Sequence, residues 1–200
     1  MKSIGSRVSA FVHQIHANMH WVILALLVLG AMAIILFTGL NHILIRMQNT
    51  DFLTGIPNRA LFEQLVAKNG KIRRNWHSVF MLDVDDFKHF NDDHGHEYGD
   101  HVLNLVGQQL SELIMRYGVV ARYVGDEFVG VLRVQPAQAK KILDQLNSRI
   151  AKADPEAGVH VSVGISEIKA GLSYEELLKS ADKALYMAKR NGKGQTIVNS

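Results

Sequence analysis

The chain has 200 residues, enough for one ordinary domain with an additional segment. It contains no Cys, which excludes disulfide bonds, thiolate zinc sites and cysteine nucleophiles. The formal charge of +3 belongs to residues 1–50, where Lys2, Arg7 and Arg46 stand without any acid, and the later residues carry equal numbers of acids and bases. A nucleic-acid-binding surface requires a basic domain and is therefore disfavoured.

The apolar stretch Trp21–Leu40 stands out in the N-terminal part of the chain. It has no charged residue, and Thr38 is its only residue with a hydroxyl or amide side chain. At about 1.5 Å per residue, a helix of this length spans roughly 30 Å, the thickness of a hydrocarbon core. We predict a single transmembrane helix over 21–40, preceded by a short segment over 1–20 and followed by a helical stalk over 41–50.

Two other interpretations of this stretch stay open, a cleaved signal peptide and a helix buried in a soluble core. Ala31-Met32-Ala33 resembles a small-residue cleavage site, but more apolar chain follows it, and the run is longer than the usual signal core. Basic residues are nearly balanced on the two sides of the stretch, so charge alone does not determine its orientation in a membrane.

Turn-forming residues are dense over Asp51–Arg59, directly after the predicted stalk. Asn58 is placed to cap a helix whose apolar residues lie within Leu61–Val66. Read without further context, this part is a linker followed by a capped helix. We take 51–200 as one folded domain.

A buried strand is predicted over Ser78–Val84, because four consecutive residues in it are apolar. The strand ends among three acids, Asp83, Asp85 and Asp86, whose mutual repulsion is relieved when a cation lies among them. Hard oxygen ligands at a strand end suit Mg²⁺, which completes its shell with phosphates and water. An Asp-rich loop that caps the next helix is the alternative interpretation.

The turn after this strand is suited to phosphate, because backbone N–H groups at a helix start attract anions and Lys88 adds positive charge. Three histidines follow it, at His89, His94 and His96. Their spacing is not a recognised zinc pattern, so we do not predict a zinc site.

Two short apolar runs, Gly118–Tyr123 and Phe128–Val134, surround a Gly125-Asp126 pair. This pattern predicts a β-hairpin with a two-residue turn and Gly at its first central position. Asp126 and Glu127 would then lie at the tip of a rigid hairpin, where carboxylates are able to meet a cation. Taken alone, a turn of this composition is more often only a solvated loop.

The remaining predicted elements complete a sheet with helices on its faces. Pro136 begins a helix, Val159–Ile165 alternates as a half-buried strand, Ser173 caps a last helix, and Thr196–Val198 forms a short strand. Mixed strands and helices in this order indicate an α+β fold.

Five separated motifs now form one pattern. They are Asp51–Arg59, Asp83–Lys88, Asn91–Asp100, Arg122–Phe128, and Ala181–Lys189 with Gly192-Lys193. In this order and at these spacings they resemble the GGDEF family, the diguanylate cyclase domain of bacterial signalling proteins. The resemblance implies a palm-like α+β fold, as in adenylyl cyclases and the palm of nucleotide polymerases. It also implies a nucleotidyltransferase that condenses two GTP into cyclic di-GMP.

The resemblance assigns roles to individual residues by position. Asp83 and Asp126 are expected to bind Mg²⁺, or Mn²⁺ in its place, through their side chains, and Val84 through its carbonyl. Glu127 supports this metal site, and either Asp126 or Glu127 helps to deprotonate the attacking 3′-hydroxyl. The residues expected to bind GTP are Phe87, Lys88 and Lys193 at the triphosphate, and Asn91, Asp100 and His96 at the guanine.

The resemblance also implies a homodimer, since each subunit would hold one of the two GTP molecules. A GTP substrate puts residues 51–200 in the cytoplasm, so the predicted helix would be a single-pass anchor in the bacterial inner membrane.

Two departures from the family pattern stand out. Val124 replaces the first glycine of the hairpin, and its branched side chain points where the family leaves room for nucleotide. The family's inhibitory Arg-x-x-Asp product site is absent, because Met115–Gly118 stands at its position. The alternative hypothesis is therefore a degenerate domain that binds GTP or a partner protein without turnover.

Overall fold

The structure is a computed structural model that describes residues 4–68, 71–72, 75–169 and 171–199. The chain divides into two compact units, residues 1–48 and residues 49–200. Its elements in chain order are α1 (Ile4–Asn49), α2 (Arg59–Val66), β1 (Ala67–Lys68), β2 (Lys71–Ile72), β3 (Ser78–Val84), α3 (Phe87–His94), α4 (His96–Ile114), β4 (Gly118–Val124), β5 (Glu127–Leu132), α5 (Pro136–Leu143), α6 (Leu146–Ala153), β6 (Val161–Glu167), α7 (Tyr174–Arg190) and β7 (Thr196–Asn199).

Helix α1 makes up the first unit and continues without a break through the predicted N-terminal segment, span and stalk, apart from residues 1–3, which lie outside the described residues. Large apolar side chains such as Leu24, Leu27 and Phe37 are exposed along it. By length and composition, its part from Ile4 to Asn41 is able to cross a membrane, and no other helix in the described ranges shares this property. Because these apolar side chains are exposed, the structure does not support the interpretation as a buried core helix.

The second unit is built on a five-stranded sheet with the strand order β4-β5-β3-β6-β7. Strand β3 lies in the centre, antiparallel to both β5 and β6, and β7 adds a parallel edge beside β6. All seven residues of β3 are buried, as expected for a strand covered on both faces. The predicted strand Ser78–Val84 and the α+β fold are confirmed.

Alternate residues of β3 supply two separate cores. Phe80 and Leu82 belong to the core under helices α4, α5 and α6, whereas Val79 and Met81 belong to the core under α2 and α7. This division follows from the strand's two-residue period, which points neighbouring side chains to opposite faces. The sheet therefore has helices on both faces, and the ends of its strands remain free to form a site.

Local signals determine where several helices begin. The side chain of Asn58 accepts a hydrogen bond from the Leu61 N–H at 3.0 Å and caps α2. Ser173 and Glu176 form a reciprocal capping box at the start of α7. Both predicted caps are confirmed.

The structure corrects three boundaries. The helix predicted from Pro136 consists of two short helices, α5 and α6, separated by a turn at Asp144 and Gln145, and both helices bury apolar residues. The predicted strand Val159–Ile165 begins later and continues to Glu167, because it follows its pairing with β3. The second hairpin strand ends at Leu132 rather than at residue 134.

Candidate active site

The hairpin between β4 and β5 has the predicted two-residue turn. Val124 pairs with Glu127, which leaves Gly125 and Asp126 as the central pair. Gly125 has φ +57, a left-handed conformation that glycine adopts without steric cost. Val124 ends β4 without a left-handed backbone, and its side chain is 60% exposed. The valine is therefore compatible with the hairpin backbone, and its effect on the site depends on its side chain alone.

Carboxylates from two neighbouring strands meet at this end of the sheet. Asp83 at the end of β3 is directly opposite Glu127 at the start of β5, and the Val84 N–H donates to the Asp126 carbonyl at 3.4 Å. Burial raises the pKa of Glu127, and the carboxylates of Asp83 and Asp126 raise it further. The three predicted carboxylates thus influence one another electrostatically, and a cation among them would relieve their repulsion.

Lys189 of α7 is the cation that the structure itself brings to this group. Its Nζ lies 2.7 Å from a carboxylate oxygen of Asp83, whose side chain is 11% exposed. Burial nevertheless raises the pKa of Asp83, with Asp126 and Asp85 adding to the increase and Lys189 opposing it. The sequence patterns give no role to Lys189, although it is the last residue of the motif Ala181–Lys189, and its place in that motif is the available signal.

The atoms of this site that could bind a metal ion are oxygens. The side chains of Asp83, Asp126 and Glu127 and the carbonyl of Val84 are hard oxygen donors of the kind that Mg²⁺ prefers. Within the ranges that the structure describes, no three His, Cys, Asp or Glu side chains converge closely enough to hold a metal by themselves.

The loop between β3 and α3 is held by hydrogen bonds to distant segments. Asp85 accepts hydrogen bonds from the Ser162 hydroxyl at 2.7 Å and from the Gly194 N–H at 2.9 Å. Asp86 occupies the N-cap position of α3, but its side chain makes no capping hydrogen bond and instead pairs with Lys193 at 2.6 Å. Asp86 therefore does not cap α3 with its side chain, as the interpretation of this loop as an Asp-rich helix cap would require.

The residues predicted to bind guanine lie where α3 approaches α4. The Oδ1 atom of Asn91 is buried and has no hydrogen-bond partner among the described residues. Gly99 of α4 approaches it so closely that a Cβ atom there would collide with Asn91 Oδ1. His96 and Asp100 are exposed on the same helix as Gly99. Asn91 Oδ1 therefore faces α4, and Gly99 is the residue that allows this close approach of the two helices.

The residues predicted to bind the triphosphate are arranged around the start of α3. Phe87 is partly buried against the core, and Lys88 is exposed in the first turn of the helix. Lys193 and Asp86 line a cleft of about 600 Å³ on the side of α3 that carries His89. The lining residues of that cleft do not include Asn91 or the hairpin carboxylates.

A second set of contacts, which is not predictable from the sequence patterns, fixes the position of the hairpin. Asp51 accepts hydrogen bonds from the Thr54 N–H at 2.9 Å and from the Arg122 guanidinium at 3.1 Å. The Nε–H of Arg122 donates to the carbonyl of Gly125 at 2.8 Å. The guanidinium therefore links the segment after α1 to the turn that carries Asp126.

We expect the Asp51→Asn substitution to destabilise the domain by about 1–2 kcal/mol, because it removes a charged hydrogen-bond acceptor from a largely buried pair. Burial acts to raise the pKa of Asp51, but the Thr54 hydrogen bonds and Arg122 together lower it below the ordinary 3.8. A carboxylate with a lowered folded-state pKa stabilises the fold above its unfolded pKa and loses this effect as the pH falls through the folded value.

The difference in unfolding free energy between wild type and Asp51→Asn should therefore be constant above about pH 5 and shrink below the ordinary pKa of 3.8. Urea unfolding at several pH values measures it. Glu63→Gln is the control, since it breaks an exposed pair with Arg59 and should cost no more than about 0.5 kcal/mol. An equal effect of both substitutions would contradict the role of Asp51.

The five-stranded sheet with helices on its faces is the palm-like α+β fold of GGDEF domains. Residues 48–195 match the sequence family described as diguanylate cyclase, GGDEF domain. The match covers most of the chain, and the protein therefore belongs to the GGDEF family.

Characterised relatives and solved structures agree with this assignment. Diguanylate cyclase DgcP of Pseudomonas aeruginosa is 36% identical over 154 residues, which are 72% of this chain and 23% of that protein. The probable diguanylate cyclase DgcC of Escherichia coli is 31% identical over 161 residues, 76% of this chain and 43% of that protein. The chain thus spans less than half the length of these two relatives. The GGDEF domain of DgcB from Caulobacter crescentus, solved in complex with c-di-GMP, superposes with a TM-score of 0.67 at 29% identity, covering 76% of this chain and 95% of that one.

Proposed function

We propose that the protein is a membrane-anchored diguanylate cyclase, which condenses two GTP into cyclic di-GMP in a Mg²⁺-dependent reaction. The observation that carries the proposal is the meeting of Asp83 and Glu127 on paired strands with Asp126 at the adjoining turn. Such a group of partly buried carboxylates is costly to assemble unless it serves a cation. A palm-like fold and membership of the GGDEF family make the nucleotidyl transfer reaction the matching chemistry.

The side chains of Asp83 and Asp126 and the carbonyl of Val84 would hold Mg²⁺, with Mn²⁺ as an alternative, and Glu127 would support them. When bound, the ion supplies charge neutralisation for the phosphates and for the attacking oxygen. Lys189 adds positive charge beside Asp83, on the side of α7. In-line phosphoryl transfer depends chiefly on such positioning and electrostatic stabilisation.

In the proposed reaction, the 3′-oxygen of one GTP forms a bond to the α-phosphorus of the other, and the bond to the departing pyrophosphate breaks. The hydroxyl proton passes to the carboxylate of Asp126 or Glu127. Glu127 lies directly opposite Asp83 in the strand register and Asp126 at the adjoining turn, so both carboxylates lie at the end of the sheet where the hydroxyl would be. Two such steps give one cyclic di-GMP and two pyrophosphates.

Substrate recognition is proposed to use both helices beside the site. The side-chain amide of Asn91 would contact the guanine edge, with Asp100 and His96 on the neighbouring helix beside it. Phe87 and Lys88 in the first turn of α3 would contact the triphosphate. Lys193, which is distant from them in the sequence, would contact it as well. Since each subunit offers one such site, we propose that a homodimer brings two GTP molecules face to face.

The proposed location is the bacterial inner membrane, with α1 as a single-pass anchor and residues 50–200 in the cytoplasm. The apolar composition of α1 and the cytoplasmic supply of GTP support this arrangement. A protease added only to the periplasmic side of spheroplasts should leave residues 50–200 intact. Cleavage within these residues would contradict the proposed orientation.

The function is tested with the full-length chain in detergent, supplied with GTP and Mg²⁺, with cyclic di-GMP measured by chromatography. Product is expected with Mg²⁺ and not with a chelator. Asp144→Asn, which removes an exposed carboxylate that pairs with Lys140, is the matched control and should behave as wild type. Absence of product at high protein concentration would overturn the proposal.

A second candidate function is GTP binding without turnover, and Val124 is the observation that favours it. Its exposed side chain lies at the hairpin that carries Asp126. If the isopropyl group displaces a reacting atom by about 1 Å, the rate falls on the order of a hundredfold. Bound GTP without product in the assay above would select this function.

A further inference from the structure

Asp86 and Lys193 share a left-handed backbone conformation and form an ion pair with each other. They are the two non-glycine residues with a left-handed backbone among those the structure describes, at φ 57 and φ 61. Their side chains form an ion pair, with Lys193 Nζ 2.6 Å from Asp86 Oδ1. A left-handed backbone is unfavourable for residues with a side chain and persists where the surrounding structure imposes it, often at ligand-binding loops.

Further hydrogen bonds hold the two loops that carry this pair. The Gly194 N–H donates to Asp85 at 2.9 Å, directly beside the ion pair. The amide of Gln195 donates to the Asn191 carbonyl at 2.8 Å and so braces the turn between α7 and β7. The position of the Lys193 backbone relative to the start of α3 is therefore fixed by bonds other than the ion pair itself.

The charges of the pair are well defined. The hydrogen bond from Lys193 lowers the pKa of Asp86, and the same bond raises the pKa of Lys193. Both groups are therefore ionised at neutral pH. The Lys193 side chain is 43% exposed and that of Asp86 is 58% exposed, so a ligand is able to reach the ammonium from solution.

The carboxylate of Asp86 thus pairs with the Lys193 ammonium, which the proposed reaction requires for binding the triphosphate. It also places a negative charge beside the N-terminus of α3, where a phosphate group would be favoured. A triphosphate that approaches Lys193 must therefore displace the Asp86 carboxylate and is also repelled by its negative charge.

We propose that Asp86 competes with the triphosphate of GTP for the Lys193 ammonium and thereby sets the affinity of this protein for GTP. The inference rests on the function proposed above and adds an affinity-determining residue to it. Pairing with Lys193 is the larger of the two effects of Asp86, and a double-mutant cycle separates it from general repulsion.

The experiment measures the binding of a fluorescent, non-hydrolysable GTP analogue to the full-length chain in detergent with Mg²⁺. The proteins are wild type, Asp86→Asn, Lys193→Gln and the double variant. Asn is nearly isosteric with Asp and tolerates a left-handed backbone, so Asp86→Asn removes the charge and preserves the loop. Asp92→Asn, which removes an exposed acid from the same helix, is the matched control.

We expect Asp86→Asn to bind the analogue about two- to fivefold more tightly than wild type at low ionic strength, and less so as salt screens the pair. In the Lys193→Gln background the same substitution should give a clearly smaller gain, because only the repulsion between Asp86 and the triphosphate remains to be removed. Asp92→Asn should match wild type, and unfolding temperatures should agree among all the variants.

Two results would overturn the inference. One is an unchanged dissociation constant for Asp86→Asn, and the other is an equal gain in both backgrounds, which would indicate repulsion alone. Either result, with wild type still binding the analogue, leaves the proposed function intact. Failure of wild type to bind the analogue would instead contradict the proposed function itself.

Discussion

The Asp126→Asn variant is expected to form cyclic di-GMP about a thousandfold more slowly than wild type, because it removes a proposed ligand of the catalytic cation and a candidate base. Its fold should persist. Asp126 raises the pKa of both Asp83 and Glu127, so removal of its charge weakens repulsion among buried carboxylates. The unfolding temperature should therefore equal or exceed that of wild type.

Initial rates of product formation at saturating GTP measure the loss, with thermal unfolding recorded on the same preparations. Asp144→Asn serves again as the control, because its carboxylate forms an exposed pair with Lys140 far along the chain from the hairpin. A variant that keeps a tenth or more of the wild-type rate would show that Asp126 is not part of the catalytic group. A large loss of stability would mean that the carboxylate serves the fold.

The Val124→Gly variant is expected to turn over GTP faster than wild type, by up to about a hundredfold, because it restores the space that the family's glycine provides beside the hairpin. The backbone at residue 124 is not left-handed, so the glycine relieves no strain there. It should instead cost roughly 0.5–1 kcal/mol of stability, since glycine loses more conformational entropy on folding.

A graded series makes this test specific to side-chain volume. Val124→Ala should be intermediate in rate, and Val124→Ile should be slower than wild type. Rates at saturating GTP and the affinity for a GTP analogue are measured separately, because the steric argument concerns the position of the reacting groups rather than binding. Lower turnover in Val124→Gly than in wild type would contradict the steric argument and would indicate that the valine supports catalysis.

The two variants together separate the two proposed functions. Under the cyclase hypothesis, wild type is active and Asp126→Asn is not. Under the hypothesis of binding without turnover, wild type and Asp126→Asn are both inactive, and Val124→Gly gains activity if Val124 is the cause. Activity in none of the three proteins would point to a partner-binding domain.

Local features of the fold were predictable from the sequence, because they depend on residues close together in the chain. Asn58 and Ser173 supply capping oxygens to N–H groups three residues away, so both helix starts were predicted correctly. Gly125-Asp126 between two apolar runs predicted the hairpin turn, since glycine accepts the left-handed backbone there. Local patterns marked Asp83 and the Asp126-Glu127 hairpin separately, and the resemblance to the GGDEF family joined them into one candidate group; the strand register places Asp83 opposite Glu127.

Contacts between distant segments were decided by the tertiary structure alone. Arg122 and Asp51 are 71 residues apart, and Lys193 and Asp86 are 107 residues apart, yet each pair forms a direct ion pair. The ion pair between Lys189 and Asp83 is also of this kind, because the register of β3 and the packing of α7 together bring the two side chains into contact. Spacing along the chain gives no information about such pairs, because charged side chains have many potential partners and only the packed sheet brings one of them within reach. The sequence by itself therefore determined the type and order of most elements, the hairpin and the candidate carboxylates, because these depend on nearby residues, whereas the fold decided that Lys189 pairs with Asp83.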